Sequence, residues 1–113
     1  MARHSFVVQT NAEAGREREY NDWYTNAHVP DALTVPGLVS ARRFKISGTQ
    51  RQHAAPYSYE YLTIYEMEGD PGEALAALAA AVPGMSISSA MAEDRQLHVF
   101  EALTDRVCPV ARS

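Results

Sequence analysis

The sequence predicts an α+β fold of the ferredoxin-like type, in which one four-stranded antiparallel sheet carries two helices on the same face. Three observations predict it: four short segments have strand-like patterns, two breaker-free segments have helical spacing, and their order along the chain is βαββαβ. Because both helices cover one face of such a sheet, the other face stays bare. We expect two copies to pack these bare faces together and close a dimeric α/β barrel.

The first predicted strand runs from about His4 to Thr10. Its residues alternate around Phe6 and Val8, are enriched in β-branched types and end at Asn11, as is typical of a short strand.

The first predicted helix begins near Arg16, where acidic residues of the first turn suit the helix dipole. Aromatic residues then recur at helical spacing and give the helix an aromatic face. Pro30 disfavours the α conformation in the residue before it, so we expect the helix to end near His28 or Val29.

The second predicted strand runs from Leu38 to Ile46, after a turn at Val35-Pro36-Gly37. Its residues alternate, so Val39, Ala41, Arg43 and Lys45 share one face. The polar stretch 48–56 is expected to form a loop.

The third predicted strand, Tyr57 to Met67, has Tyr57, Tyr59, Tyr61 and Tyr65 at alternate positions. A second helix over 73–82 and a last strand over 95–103 complete the pattern. We expect the tyrosine-bearing face to be the bare one and to meet the partner.

Length and composition are those of one globular domain. The chain has 113 residues, of which 46% are hydrophobic and 21% are charged. We assign residues 1–105 to the barrel domain and residues 106–113 to a C-terminal tail.

Charge and hydropathy exclude several kinds of partner. The net charge is -4 and the ten basic residues are scattered, which argues against nucleic acid. No segment approaches the roughly 18 apolar residues of a membrane span, so we expect a cytoplasmic protein with no membrane partner. The single cysteine, Cys108, allows neither an intrachain disulfide nor a cysteine-based metal cluster.

The segment EYNDWYTNAHVPD, residues 19–31, is followed by VPGLVSARRF, residues 35–44. This pattern resembles the EthD-like branch of the dimeric α/β-barrel superfamily and covers roughly a quarter of the chain. The resemblance implies the fold, whereas the chemistry of that superfamily is diverse: isomerases, polyketide cyclases, cofactor-free monooxygenases, dehydratases and haem enzymes.

The resemblance also implies two acid-base residues. In methylmuconolactone methylisomerases, one histidine at the end of the first helix and another in the loop before the third strand do this work. By position these are His28 and His53 here. The third strand lacks the cysteine of that family, which argues against a reaction that needs a thiol there.

The charged candidates each have a structural alternative. His28 suits proton transfer near neutral pH, and alternatively caps its helix. Arg43 is expected to bind a substrate carboxylate or enolate inside the barrel. Alternatively it forms a salt bridge to an acidic residue of a neighbouring strand. The acidic alternatives are Glu60, Glu66 and Glu101.

The aromatic candidates are interpreted in two ways. Trp23 and Tyr24 are expected either in the core or in the wall of a substrate pocket. Tyrosine hydroxyls inside a barrel suit a flat, oxygenated ligand, and alternatively they lie in the dimer interface. The further candidates for substrate binding are Tyr59, Tyr61, Tyr65 and His98, with His4 as another strand histidine compatible with burial.

These residues predict a cofactor-independent acid-base enzyme of the isomerase or lyase type. Its substrate would be a small oxygenated aromatic, polyketide-like or lactone compound. The alternatives are a cofactor-free monooxygenase and a non-catalytic domain that binds a small aromatic ligand. No metal or nucleotide motif occurs, and we expect no cofactor. Haem stays compatible with the sequence because some relatives hold it through one histidine, although tyrosines would be an unusual lining for a haem pocket.

Overall fold

The computed structural model describes residues 3–110. It contains a four-stranded antiparallel sheet with the strand order β2-β3-β1-β4 and three α-helical segments. The strands are β1 His4–Thr10, β2 Leu38–Lys45, β3 Tyr61–Met67 and β4 Gln96–Glu101. The helices are α1 Glu17–Trp23, α2 Val29–Ala32 and α3 Pro71–Ala81.

The predicted βαββαβ order is confirmed, and the chain has the ferredoxin-like α+β fold. The first predicted strand has the observed bounds of β1. The second predicted helix corresponds to α3, and one turn of 3-10 helix, Val82–Gly84, follows α3 directly. Asp70 caps α3, because its carboxylate accepts a hydrogen bond from the Glu73 backbone N–H at 3.0 Å.

One face of the sheet is covered by the helices. Alternate residues of β1 and β3 are buried there, and the pairs Phe6 with Tyr65 and Val8 with Thr63 lie directly opposite each other in the register. An aliphatic cluster and an aromatic cluster form the core on this covered face.

Gly37 lets the start of β2 approach α3 closely. Its φ of +95° lies in the left-handed region, and a Cβ atom added there would meet the Ala74 Cβ at 2.8 Å. No other residue type fits this turn without moving the helix.

The expected end of the first helix before Pro30 is wrong. The helix continues through a π turn, Tyr24–His28, into α2, with Pro30 in the first turn of α2. A π turn widens the backbone, so the missing N–H of proline and the bulk of its ring are accommodated without a break. His28 therefore lies inside a continuous helical segment, and it makes no side-chain cap hydrogen bond.

The third strand begins at Tyr61, four residues later than the tyrosine pattern predicts. The Asn11 side chain accepts from the Glu60 N–H at 2.8 Å and donates to the Ser58 carbonyl at 2.8 Å. These hydrogen bonds satisfy backbone groups that would otherwise pair in a sheet. Tyr57 and Tyr59 consequently lie outside the strand.

The expectation that the tyrosine-bearing face is bare is wrong. Tyr61 and Tyr65 are buried on the covered face, and Ala41 lies there beside Tyr65. Val39 sits at an irregularity between Leu38 and Ser40 and is exposed. A period of two separates the faces of a strand but does not say which one meets the helices.

The bare face is formed by the opposite set of side chains, and no helix of the described residues covers it. It carries an apolar patch flanked by polar residues such as Arg42 and His98. We call this patch the bare-face patch; it consists of Val7, Phe44, Leu62, Ile64 and Phe100.

The segment after β4 contains no helix or strand up to residue 110. Its apolar residues are solvent-exposed: Leu103 is 94% exposed and Val110 is 90% exposed. The predicted tail, residues 106–113, extends to three residues that lie outside the described part. Within residues 3–110, no helix is both long and apolar enough to cross a membrane.

Candidate functional site

A cavity of about 340 Å³ lies between the covered face of the sheet and the helical segments. Its volume is at the small end of the range for ligand pockets, and its walls are mainly apolar. The polar wall residues are Thr10, Tyr24, His28, Tyr65 and Arg95. The apolar wall residues are Phe6, Val8, Ala32, Leu38, Leu78, Val82, Ile87, Met91 and Leu97.

His28 is held by two aromatic rings. Its imidazole is stacked on Trp23 with ring centres 4.8 Å apart, and it meets Tyr24 edge-on at 4.9 Å. The Trp23 ring is itself fixed, because its N–H donates to the Ser86 carbonyl at 2.8 Å. These contacts restrict the imidazole to one orientation in the cavity wall.

Tyr24 and His28 lie four residues apart, at the two ends of the π turn. Their side chains therefore share one side of the helical segment, and both line the cavity. Such turns occur often at functional sites.

The His28 imidazole is buried enough to favour its neutral form. Burial lowers its pKa most strongly, and the positive charges of Arg95 and Arg43 lower the pKa further. The Asp31 carboxylate acts in the opposite direction. The Nδ1 atom of His28 is buried and has no hydrogen-bond partner within residues 3–110.

The Tyr65 hydroxyl is a second buried polar group in the cavity wall that has no partner in the described structure. Burial, followed by the neighbouring Tyr24 phenol, raises the pKa of Tyr65 far above its usual value. The hydroxyl therefore keeps its proton and offers a hydrogen bond to an acceptor in the cavity.

Arg95 lines the cavity from the segment that leads into β4, and it is solvent-exposed. Its guanidinium contacts the Met91 sulfur at 4.0 Å. Among the described residues that line the cavity, Arg95 alone carries a permanent charge.

Arg43 lies behind the Tyr24 ring and does not line the cavity. Its guanidinium carbon is 4.4 Å from the Tyr24 ring centre and 5.4 Å from that of Tyr20, and its Nη1 donates to Thr25 Oγ1 at 2.9 Å. These π faces replace the anionic companion that the sequence suggested. The expected acidic partners bond elsewhere: Glu60 to Lys45 at 3.6 Å and Glu101 to His4 at 3.7 Å.

The remaining predicted residues are not brought together with His28 in this cavity. His53 is exposed in the 48–56 loop, with a φ of 71°. The Tyr59 hydroxyl donates to the Asp94 carboxylate at 2.9 Å. Tyr61 belongs to the aromatic cluster, where its hydroxyl accepts from Asn21 at 3.2 Å. His98 lies on the bare face, because it pairs with Val7. It is exposed in the single chain, which differs from the expected burial.

The sequence interpretation missed several cavity residues, among them Ile87, Met91 and Arg95. They lie in the irregular segment between α3 and β4, where no periodicity indicates a face. The only sequence signal was a group of apolar residues in a stretch otherwise rich in polar ones.

No sequence model of a protein family matches the chain, and no curated protein matches it in sequence. Solved structures do resemble it. The haem-degrading protein MhuD of Mycobacterium tuberculosis, solved with two haems in its active site, is 19% identical with a TM-score of 0.62. The match covers 92% of this chain and 99% of MhuD.

Two further structures share the fold. HapK of Hahella chejuensis is 16% identical with a TM-score of 0.61, over 95% of this chain and 99% of HapK. An EthD family protein of Bacillus halodurans is 13% identical with a TM-score of 0.54, over 88% of this chain and 99% of that protein. The chain thus shares the fold of these three structures, one of which is an EthD family protein, and the EthD-like resemblance is supported at the level of fold.

Proposed function

We propose that this chain is a cofactor-independent acid-base enzyme. Its substrate is a small oxygenated ring compound bound in the cavity, and its reaction is an isomerisation or an elimination. The observation that carries the proposal is the combination in one apolar cavity of a half-buried imidazole, whose lowered pKa favours its neutral form, and a phenol without a hydrogen-bond partner within residues 3–110. A small-molecule-binding role accords with the cavity and with ligand-binding proteins of the same fold.

His28 acts as the base in this proposal. We assign the reacting nitrogen to Nε2, because Nδ1 is buried and has no hydrogen-bond partner within residues 3–110. Nε2 takes a proton from the carbon next to a carbonyl, the C–H electron pair moves into the carbonyl, and an enolate forms. Where the substrate has a double bond next to that carbon, the enolate extends over it. The same imidazolium then returns the proton to the far end of the double bond, so the double bond moves into conjugation with the carbonyl and the isomerisation is complete.

Tyr65 stabilises the enolate in this proposal. Its hydroxyl donates a hydrogen bond to the oxygen on which negative charge develops, inside a cavity of low polarity. Tyr24 lies beside it and supplies a second phenol at the wall. Arg43, which the sequence suggested for this task, acts instead through the Tyr24 ring that it stacks on.

MhuD, one of the structurally similar proteins, was solved with haem in its active site, so haem is a ligand to consider for this cavity. A histidine that ligates a metal almost always donates its second ring N–H to a fixed acceptor. Here Nδ1 of His28 has no such acceptor within residues 3–110, and Trp23 and Tyr24 pack against the ring. The cavity is also small. These residues do not fit an axial haem ligand, and the described residues hold no cluster of three or more metal-binding side chains.

We also propose that the protein is a homodimer in which two bare-face patches pack together. The patch is apolar, spans all four strands of the sheet and has no covering layer in the described residues. Such a surface usually meets a partner.

Deuterium exchange tests the enzymatic proposal without knowledge of the natural product. Small cyclic ketones and lactones, with and without a carboxylate on the ring, are incubated with the protein in heavy water. We expect members of this panel to gain deuterium next to the carbonyl, as detected by NMR. His28→Gln should abolish the exchange and leave ligand binding measurable. His53→Gln, in the exposed loop, is the matched control and should exchange normally.

Two results contradict the enzymatic proposal. Equal exchange by the His28→Gln variant removes His28 from the chemistry. Binding without exchange by the unmodified protein, across the ligand panel, favours a non-catalytic binding domain.

A further inference from the structure

The cavity is chemically asymmetric, and this asymmetry says more about the substrate than its volume does. Its inner wall consists of apolar side chains together with the Tyr65 hydroxyl, which is buried and unpartnered. Its permanent positive charge lies on the exposed side chain of Arg95. A ligand that fills the cavity therefore meets a neutral interior and one cation.

The described acidic residues leave Arg95 without an ion pair. The three salt bridges of arginine or lysine within residues 3–110, and the contact between His4 and Glu101, involve other side chains. The neighbouring Asp94 carboxylate accepts a hydrogen bond from the Tyr59 hydroxyl at 2.9 Å. Within residues 3–110, the Arg95 side chain makes one polar contact, with the sulfur of Met91. Met91 also lines the cavity.

A free guanidinium beside an apolar cavity matches one chemical group in particular. Its planar fork of N–H donors fits a carboxylate through two parallel hydrogen bonds. The rest of the ligand would be apolar, because the interior offers no second cation to balance another anion.

We propose that Arg95 recognises the carboxylate of the substrate, which is a small apolar ring compound that carries one acidic group. This inference rests on the proposed function, since it assigns the substrate class of the same cavity. The carboxylate lies at Arg95 and the ring fills the space between Phe6, Leu38 and Leu97. A carbonyl or hydroxyl oxygen on the ring reaches the Tyr65 hydroxyl.

Arg95 also lies close enough to act on His28, because its charge lowers the pKa of that imidazole. Neutralisation of Arg95 by a bound carboxylate weakens this effect and makes His28 a stronger base. Binding of the correct acid thus prepares the base, whereas a neutral analogue does not.

Two probes of nearly equal shape test the proposal: trans-cinnamate, which carries a carboxylate, and trans-cinnamamide, which is neutral. Trp23 is the only tryptophan of the chain and stacks on His28, so its indole N–H resonance in a ¹⁵N-labelled sample reports cavity occupancy. We expect cinnamate to bind about tenfold more tightly than cinnamamide at low salt. The difference should shrink as salt is added, because Arg95 is exposed.

Variants assign that preference to Arg95. Arg95→Gln should reduce cinnamate affinity to that of cinnamamide and leave cinnamamide affinity unchanged. Arg95→Lys should keep part of the preference. Arg106→Gln, in the exposed segment after β4, is the matched control and should behave like the unmodified protein.

The outcomes separate this inference from the proposed function. Equal affinity for the two probes, or a preference that survives in Arg95→Gln, overturns the inference while the cavity stays a binding site. Failure of both probes to shift the Trp23 resonance at millimolar concentration overturns the cavity as a site for such ligands and the inference with it.

Discussion

The guanidinium carbon of Arg43 lies 4.4 Å from the centre of the Tyr24 ring, so a strand cation directly supports a phenol of the cavity wall. The same guanidinium lies 5.4 Å from the Tyr20 ring and 5.8 Å from the Tyr61 ring. One charged side chain of β2 thus contacts the faces of three tyrosines, two in the helical segment and one at the start of β3.

Replacement of Arg43 should destabilise the protein. We expect Arg43→Leu to lower the free energy of unfolding by about 2 kcal/mol, because cation-π contacts and the bond to Thr25 are lost. Urea unfolding measures this. Arg18→Leu, on the exposed face of α1, is the control and should change stability by less than about 0.5 kcal/mol. Equal losses for the two variants would contradict the assignment.

The pKa of His28 should lie below 6.5 in the folded protein, and its neighbours should move it in opposite directions. Asp31→Asn removes a negative charge and should lower the pKa further. Arg95→Gln removes a positive charge and should raise it. NMR titration of the imidazole resonances checks both signs, and a shift of the same sign in both variants would refute the electrostatic account.

Stability should decrease as the pH falls below 6.5. The folded-state pKa of His28 is lowered, so the unfolded chain binds the proton more readily between that pKa and 6.5. The loss begins near the unfolded value and ends below the folded one. In His28→Gln this part of the pH dependence should disappear, as measured by thermal unfolding from pH 7.5 to about pH 5. An unchanged profile would exclude His28 as the cause.

Gly37 and Gly15 separate backbone strain from steric conflict. Both have positive φ, +95° and +80°, but a Cβ atom at Gly15 meets nothing within 4 Å. We expect Gly15→Ala to cost about 1 kcal/mol through strain alone. Gly37→Ala should cost at least about 1 kcal/mol more, because α3 must move away from Ala74. Similar chemical denaturation midpoints for the two variants would mean that the close approach is not needed.

A charge in the bare-face patch should separate the proposed dimer. Leu62→Asp would bury a carboxylate between two sheets, opposite Gln9 and Phe44 and with no cation directly across from it, so sedimentation should show a monomer in place of a dimer. Leu103→Asp, in the exposed segment after β4, is the control and should stay dimeric. A monomeric unmodified protein would refute the proposal.

Much of the fold could be predicted because local patterns determine it. The alternation around Phe6 and Val8 located β1, and the breakers around α3 located that helix. The orientation of β3 could not be predicted, since a strand with apolar residues on both faces looks the same from either side. Tyr61 therefore belongs to the core, although its spacing equally suited a dimer contact.

The candidate site was predictable only where one pattern carried it. His28 and Tyr24 come from a recognisable helical motif, and both line the cavity. Arg95 comes from a segment without regular structure, whose position depends on contacts far away in the sequence. The Tyr65 hydroxyl became notable only once its burial and lack of a partner were known.

The π turn at Tyr24–His28 lets the helical segment absorb one extra residue. A π turn holds one residue more than an α-helical turn of similar rotation, so deletion of one residue within it would restore ordinary α-helical spacing and leave α2 in nearly the same direction. Substitution at a single position would not remove the extra residue. Related chains should therefore be compared first by whether they share this insertion and only then by which side chains they carry.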